Sequence, residues 1–259
     1  MTPPPVSSPL PRQLAAALLL RARRRSPQGL TLIECLVAIL MVALLASAIA
    51  PALAVAVATR VQSQKSEQAL QLAQTEIDRV RLLTERGQAA DTLPDYLAKF
   101  PPRVASLDNN QGATQPAPSD PVVGNRASLT ATNTLGIKIN PAEPGTTLAT
   151  NCVTDGSCDF AVQIYRTKGY PDDATVAPAA FVMGVRVYDY GAVTSGATLS
   201  TNPASLVLSA GDGGRSRKPL AVLYTTIAAG EREQSLCDLI EYTNTYTTPQ
   251  LPLPADCNN

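Results

Sequence analysis

An apolar run from Leu30 to Ala58 constrains this 259-residue chain more than anything else in it. It is broken by few polar residues and contains a single charge, Glu34. About 20 apolar residues suffice to cross a bilayer as a helix, so the run predicts a membrane span. A carboxylate inside such a span costs roughly 2.5–3.5 kcal/mol on insertion scales and ordinarily has a partner and a task. No Lys or Arg lies between Leu30 and Thr59, so the span offers Glu34 no cation of its own. If the chain were cut after Gly29, Leu30 would carry a new α-ammonium, and a neighbouring copy could offer it to Glu34. The simpler reading places Glu34 at the membrane edge, reaching headgroups and water.

The charges around the run set its orientation. Arg12, Arg21, Arg23, Arg24 and Arg25 precede Gly29, and no acid does. By the positive-inside rule this N-terminal side stays in the cytoplasm and everything after Ala58 lies outside. The patch Leu14–Leu20 is a short apolar stretch followed by arginines where a small-residue cleavage site should be, so it does not read as a secretory signal. Without the five arginines, 16 basic side chains face 21 acidic ones. That balance argues against a nucleic-acid binder working through bulk charge. The chain has no histidine, which excludes His-based triads and imidazole general bases. No other catalytic motif stands out, and neither an enzymatic role nor a cofactor is expected.

Gly29-Leu30-Thr31-Leu32-Ile33-Glu34, with the arginines before it and the apolar run after it, resembles the prepilin cleavage motif of type IV pilins and type II secretion pseudopilins. The resemblance implies cleavage between Gly29 and Leu30 by prepilin peptidase and N-methylation of Leu30. It also implies that Glu34 neutralises the N-terminal amine of an adjacent subunit during filament assembly. Pro51 matches a proline common about twenty residues into the mature helix; lacking an N–H, it should kink or loosen the span. Leu30 stands where phenylalanine is usual, and Cys35 where leucine is usual. The partners implied are the peptidase, other pilins or pseudopilins, an inner-membrane assembly platform and the lipid bilayer, with a low-copy subunit at the filament tip as one placement. A pilin-like α+β fold follows, a long N-terminal helix packed on an antiparallel sheet.

The rest of the chain divides accordingly. Residues 1–29 form a leader, 30–58 the transmembrane helix, and 59–87 its amphipathic continuation, with Val61, Leu70, Ala73, Ile77 and Val80 as the apolar stripe. Glu76–Arg79 and Asp78–Arg81 are i,i+3 pairs, and Gly87 can end the helix. Residues 88–126 read as an irregular connection, with a helical turn over Asp95–Phe100. Residues 127–229 read as a β-sheet head with strands at Leu129–Thr132, Gly136–Ile139, Phe160–Thr167, Phe181–Tyr188, Leu206–Leu208 and Leu220–Thr226. Residues 230–259 form a polar tail with a short helix at Leu236–Ile240.

Four cysteines lie in the exported part: Cys152, Cys158, Cys237 and Cys257. Three disulfide pairings are possible; sequence proximity favours Cys152–Cys158 and Cys237–Cys257. A four-cysteine zinc site is the alternative, but no CxxC spacing is present. Asp155, Asp159, Asp172 and Asp173 raise the question of calcium, without EF-hand spacing, and no metal site is expected. Phe181–Tyr188 and Lys218–Thr225 look similar to segments of the hormogonium polysaccharide secretion pseudopilins of filamentous cyanobacteria, which would imply polysaccharide export and gliding motility. The competing reading is a membrane-tethered binding module or adhesin with the helix as mere anchor.

Overall fold

The computed structural model describes residues 31–87, 92–104, 115–139, 147–148, 152–171, 173, 175–204, 216–229, 235–246 and 249–258. The chain divides into two units, Met1–Val57 and Ala58–Asn259. Helix α1, Leu32–Arg86, begins in the first and ends in the second. Within the first unit its side chains are exposed throughout, including Leu32, Ile33, Ile39, Leu44 and Leu53. An apolar surface with no protein cover suits lipid rather than water. α1 continues through Pro51, whose missing N–H leaves the Ser47 carbonyl without its usual helical donor. It stops at Gly87, whose φ of +63° is a left-handed conformation that favours glycine.

In the second unit α1 has a buried stripe of Ala69, Leu72, Ala73, Glu76, Ile77, Val80 and Thr84, spaced by three and four residues as one helix face requires. Ala73, Ile77 and Val80 of the expected stripe lie on this face, but its other two members do not. Val61 and Leu70 are exposed, and Ala69 and Leu72 take the places facing the sheet.

The sheet runs in the order β1 (Val122–Val123), β2 (Thr134–Ile139), β4 (Phe160–Arg166), β5 (Ala180–Asp189) and β6 (Ala221–Ala228); β3 (Thr147–Leu148) pairs separately with β2. All neighbours are antiparallel except β1 and β2. The fold is α+β, a long N-terminal helix with a mostly antiparallel sheet. Leu135, Ile137, Phe160, Val162, Ile164, Phe181, Met183, Val185, Val187 and Ile227 form one core with the α1 stripe. The opposite face of β4 and β5 is buried as well, which explains why their sequences alternate only partly.

Shorter elements cover that second face and the ends. Helix α2 (Leu93–Ala98) starts from the Thr92 cap, and its Tyr96 hydroxyl donates to the Leu83 carbonyl of α1 at 3.1 Å. It overlaps the helical turn expected over Asp95–Phe100 and begins two residues earlier. Helix α3 (Cys152–Asp155) is tied to Cys158, helix α4 is Tyr190–Thr194, and helix α5 (Ser235–Tyr246) contains and extends the short helix expected at Leu236–Ile240. No strand forms at Leu129–Thr132. Asn133 Oδ1 accepts from the Thr130 N–H at 2.9 Å, and the Asn125 side chain accepts from Ser128 N–H at 3.0 Å. These side-chain bonds hold the backbone in turns against its β-propensity. The expected strand Leu206–Leu208 lies outside the described residues.

Candidate functional site

The N-terminal end of α1 is organised by Thr31. Its carbonyl accepts from the N–H groups of Glu34 and Cys35 at 3.0 and 3.1 Å, and its hydroxyl accepts from Glu34 N–H at 3.3 Å. Thr31 is thereby the helix cap, and Glu34 is the third helical residue. A carboxylate in the first turn is favoured by the helix dipole by roughly 0.3–1 kcal/mol. The side chain also leans toward the N-terminus, as helical side chains do. Glu34 is exposed, flanked by exposed Leu32, Ile33, Leu36 and Val37. The next residue, Cys35, is a free exposed thiol. Gly29 and Leu30, the expected cleavage and methylation positions, lie outside the described residues.

Other groups singled out in the sequence turn out to hold the head together. Cys152 bonds Cys158, and Cys237 bonds Cys257. Asp155 Oδ1 accepts from Ser157 N–H at 2.9 Å; the Ser157 hydroxyl first, and this N–H second, draw its carboxyl below the usual range. Asp159 Oδ2 accepts from Ile139 N–H at 2.9 Å, and Asp173 Oδ1 from both the N–H and the hydroxyl of Thr175. Asp172 lies outside the described residues. Among the described residues no group of three or more His, Cys, Asp or Glu comes together as a metal site. A groove of roughly 660 Å3 runs beside α1, with Ser63, Ser66, Leu70 and Leu220 in its wall and Arg60 and Glu67 as its charged groups. Its two serines have no imidazole to activate them, since the chain contains none.

The Glu76–Arg79 pair expected from the sequence forms, but the burial of three charged side chains, Glu76, Arg166 and Arg186, escaped it. Glu76 is fully packed away, 2 % exposed, and receives Arg126 through both guanidinium nitrogens, Nη1 at 2.6 Å, and Arg79 Nε at 3.2 Å. Burial, and then the charge of Arg126, depress the Arg79 pKa. Arg166 donates to the carbonyls of Pro101, Thr167 and Lys168 and lies against the rings of Phe100 and Phe181; burial lowers its pKa to about 10. Arg186, wholly buried, donates through Nη1 to Gln115 O at 2.6 Å, Pro116 O at 3.2 Å and Gln163 Oε1 at 3.3 Å. Its Nε and Nη2 both donate to the Tyr224 hydroxyl at 3.0 Å. A carbonyl acceptor has no residue signature, so nothing in the sequence marks an arginine that will be satisfied by backbone. The geometry is that of fastenings between loop and sheet, not of a reacting centre.

The N-terminal end carries the decisive comparison. Residues 24–50 match the prokaryotic N-terminal methylation motif, which is typical of type IV pilins and pseudopilins. The match spans the arginine-flanked leader end, Gly29, Glu34 and the first half of the exposed apolar helix. The chain thus has the N-terminus of a type IV pilin-like substrate of prepilin peptidase, and the motif implies assembly with other pilins. Comparison with curated proteins and with solved structures gives no significant match.

Proposed function

We propose that this chain is a minor pilin or pseudopilin, a low-copy subunit of a type IV pilus-like or type II secretion-like filament machine. The observation that carries the reading is the methylation motif in register with a capped helix whose first turn presents Glu34 among exposed apolar side chains. In this reading the peptidase cuts after Gly29 and Leu30 is N-methylated. The helix then waits in the inner membrane with its N-terminus toward the cytoplasm and the head outside. On extraction by the assembly platform, Glu34 meets the α-ammonium of a neighbouring subunit, and Pro51 supplies a point of give. Two disulfides in the second unit agree with an oxidising exterior. The size of the head supports a tip or priming position. The likeness of β5 and of the β6 region to hormogonium polysaccharide secretion pseudopilins supports a machine for polysaccharide export and gliding motility.

The test is the mass and N-terminal sequence of the protein recovered from membranes, together with Glu34→Ala. The expected product starts at Leu30 with one added methyl. Glu34→Ala should leave membrane insertion intact and block incorporation into filaments. A chain starting at Met1, or normal assembly of Glu34→Ala, would refute the assignment.

A further inference from the structure

The last segment of the head is built as a strap. Cys257 at its far end is bonded to Cys237 near the start of α5. At its near end the Asn244 side chain grips the backbone of Leu251 from both sides: Leu251 N–H donates to Asn244 Oδ1 at 2.6 Å, and Asn244 Nδ2 donates to Leu251 O at 2.9 Å. Between these anchors runs Leu251-Pro252-Leu253-Pro254, free of helix and strand. Proline fixes its own φ near −65° and drives the residue before it into extended backbone. Both prolines thus have φ fixed and both leucines are driven to extended backbone, which favours the polyproline II conformation over Leu251–Leu253, with both ends held.

The strap turns its apolar groups outward. Leu251 is 49 % exposed and Leu253 39 %, with Gln250 and Pro252 exposed beside them. Leu236, next to the anchoring Cys237, is exposed too. A segment that served only to close the head would bury these leucines. The prolines have no N–H, so the free edge offers chiefly carbonyl acceptors. From Ser235 to Asn258 the chain carries Asp238, Glu241 and Asp256 and no Lys or Arg.

We infer that the strap Pro249–Pro254 is a recognition ligand for a different polypeptide, one presenting an aromatic-lined groove with N–H donors and a basic rim. Aromatic grooves take polyproline segments because little ordering entropy is lost on binding. Helix α5, to which the strap is tied, carries Asp238 and Glu241 and no Lys or Arg, which favours a basic partner by charge complementarity. The double anchoring makes the ligand ready-formed. Because the partner must share a compartment with the head, the inference rests on the orientation given under Proposed function.

The test is photo-cross-linking in cells producing the full-length chain, with p-benzoylphenylalanine in place of Leu253 and, as a control for general proximity, in place of exposed Val176. Position 253 should give a discrete adduct with another polypeptide, absent from position 176. The linked partner peptide should contain Trp, Tyr or Phe close to Lys or Arg. Pro252→Ala with Pro254→Ala keeps both leucines but releases the backbone, and should lower the adduct yield roughly fivefold or more. Several results would overturn the inference: no adduct, linkage only within the chain or to a second copy, a partner peptide lacking aromatic or basic residues, or indifference to the double proline change. The N-terminus of the same sample is sequenced. A chain starting at Leu30 without the adduct sinks the strap inference alone, whereas one starting at Met1 sinks the pilin reading.

Discussion

Glu76 offers the sharpest test of how the head is held to α1. Its carboxylate is 3 % exposed and lies between Arg126 and Arg79, whose side chains are 36 % and 32 % exposed. Replacing it by glutamine keeps the shape and one acceptor but removes the charge. Two guanidinium groups then face each other across a half-dry site. Breaking a fully buried pair costs roughly 3–5 kcal/mol, because the surviving charge is left without compensation. Solvent reaching both arginines reduces this, and we expect about 2–3 kcal/mol for Glu76→Gln. For a domain of this size that is a fall in midpoint of roughly 4–12 °C. All eight tyrosines lie between Tyr96 and Tyr246, so near-UV circular dichroism of the full-length protein in detergent follows the head and not the apolar helix. Adding Arg126→Gln removes one of the two stranded charges and should recover about 1 kcal/mol or more, a non-additivity that contacting residues show. A cost for Glu76→Gln below about 0.5 kcal/mol, or strict additivity in the double variant, would refute the argument that this carboxylate is a buried fastening.

Other outcomes follow from the same geometry. Gly184→Ala would place a Cβ 2.5 Å from the ring of buried Tyr165 on the paired strand, and should cost roughly 1–3 kcal/mol in the same unfolding assay. Replacing Cys237 and Cys257 together by serine opens a loop of sequence separation 20 and should lower stability by about 3 kcal/mol while exposing the tail to protease; α5 should stay docked through the Tyr242 hydroxyl, which lies 2.9 Å from Thr167 Oγ1. Burial raises the Tyr188 pKa to about 12 from the ordinary 10. Its contribution is therefore fully present below pH 10 and is lost as pH rises toward 12, amounting to roughly 2–3 kcal/mol. An ultraviolet phenolate titration should show Tyr188, like the still more strongly raised Tyr165, ionising late and together with unfolding, and ionisation of Tyr188 near pH 10 in the intact head would contradict its burial.

What the sequence revealed, and what it hid, separates along physical lines. Patterns carried by one segment are readable. The apolar run with its single acid, Gly87 at the helix end and the β-branched segments that became β4, β5 and β6 need no knowledge of distant partners. Leu129–Thr132 was misread because Asn125 and Asn133 bond locally to the backbone and take residues with strand propensity into turns. The helix stripe is right at Ala73, Ile77 and Val80 and wrong at Val61 and Leu70, because Leu70 is apolar yet exposed, while Glu76, charged, is buried. A periodicity argument assigns each residue by its chemistry and cannot foresee an acid buried by an arginine 50 positions away.

The two faces of the sheet make the same point about design. The face toward α1 is held by aliphatic and aromatic burial, which is non-directional and survives many exchanges of side chain. The opposite face is held by donors that must find particular acceptors: Arg186 to Gln115 O and Pro116 O, Gln163 Nε2 to Pro116 O and Ala131 O, and Gln115 Nε2 to Ala131 O. Here the acceptors are backbone carbonyls of the covering segment, which fix the course of its main chain. A polar lock built on carbonyls holds the covering segment by direction, where the helix face is held by area alone.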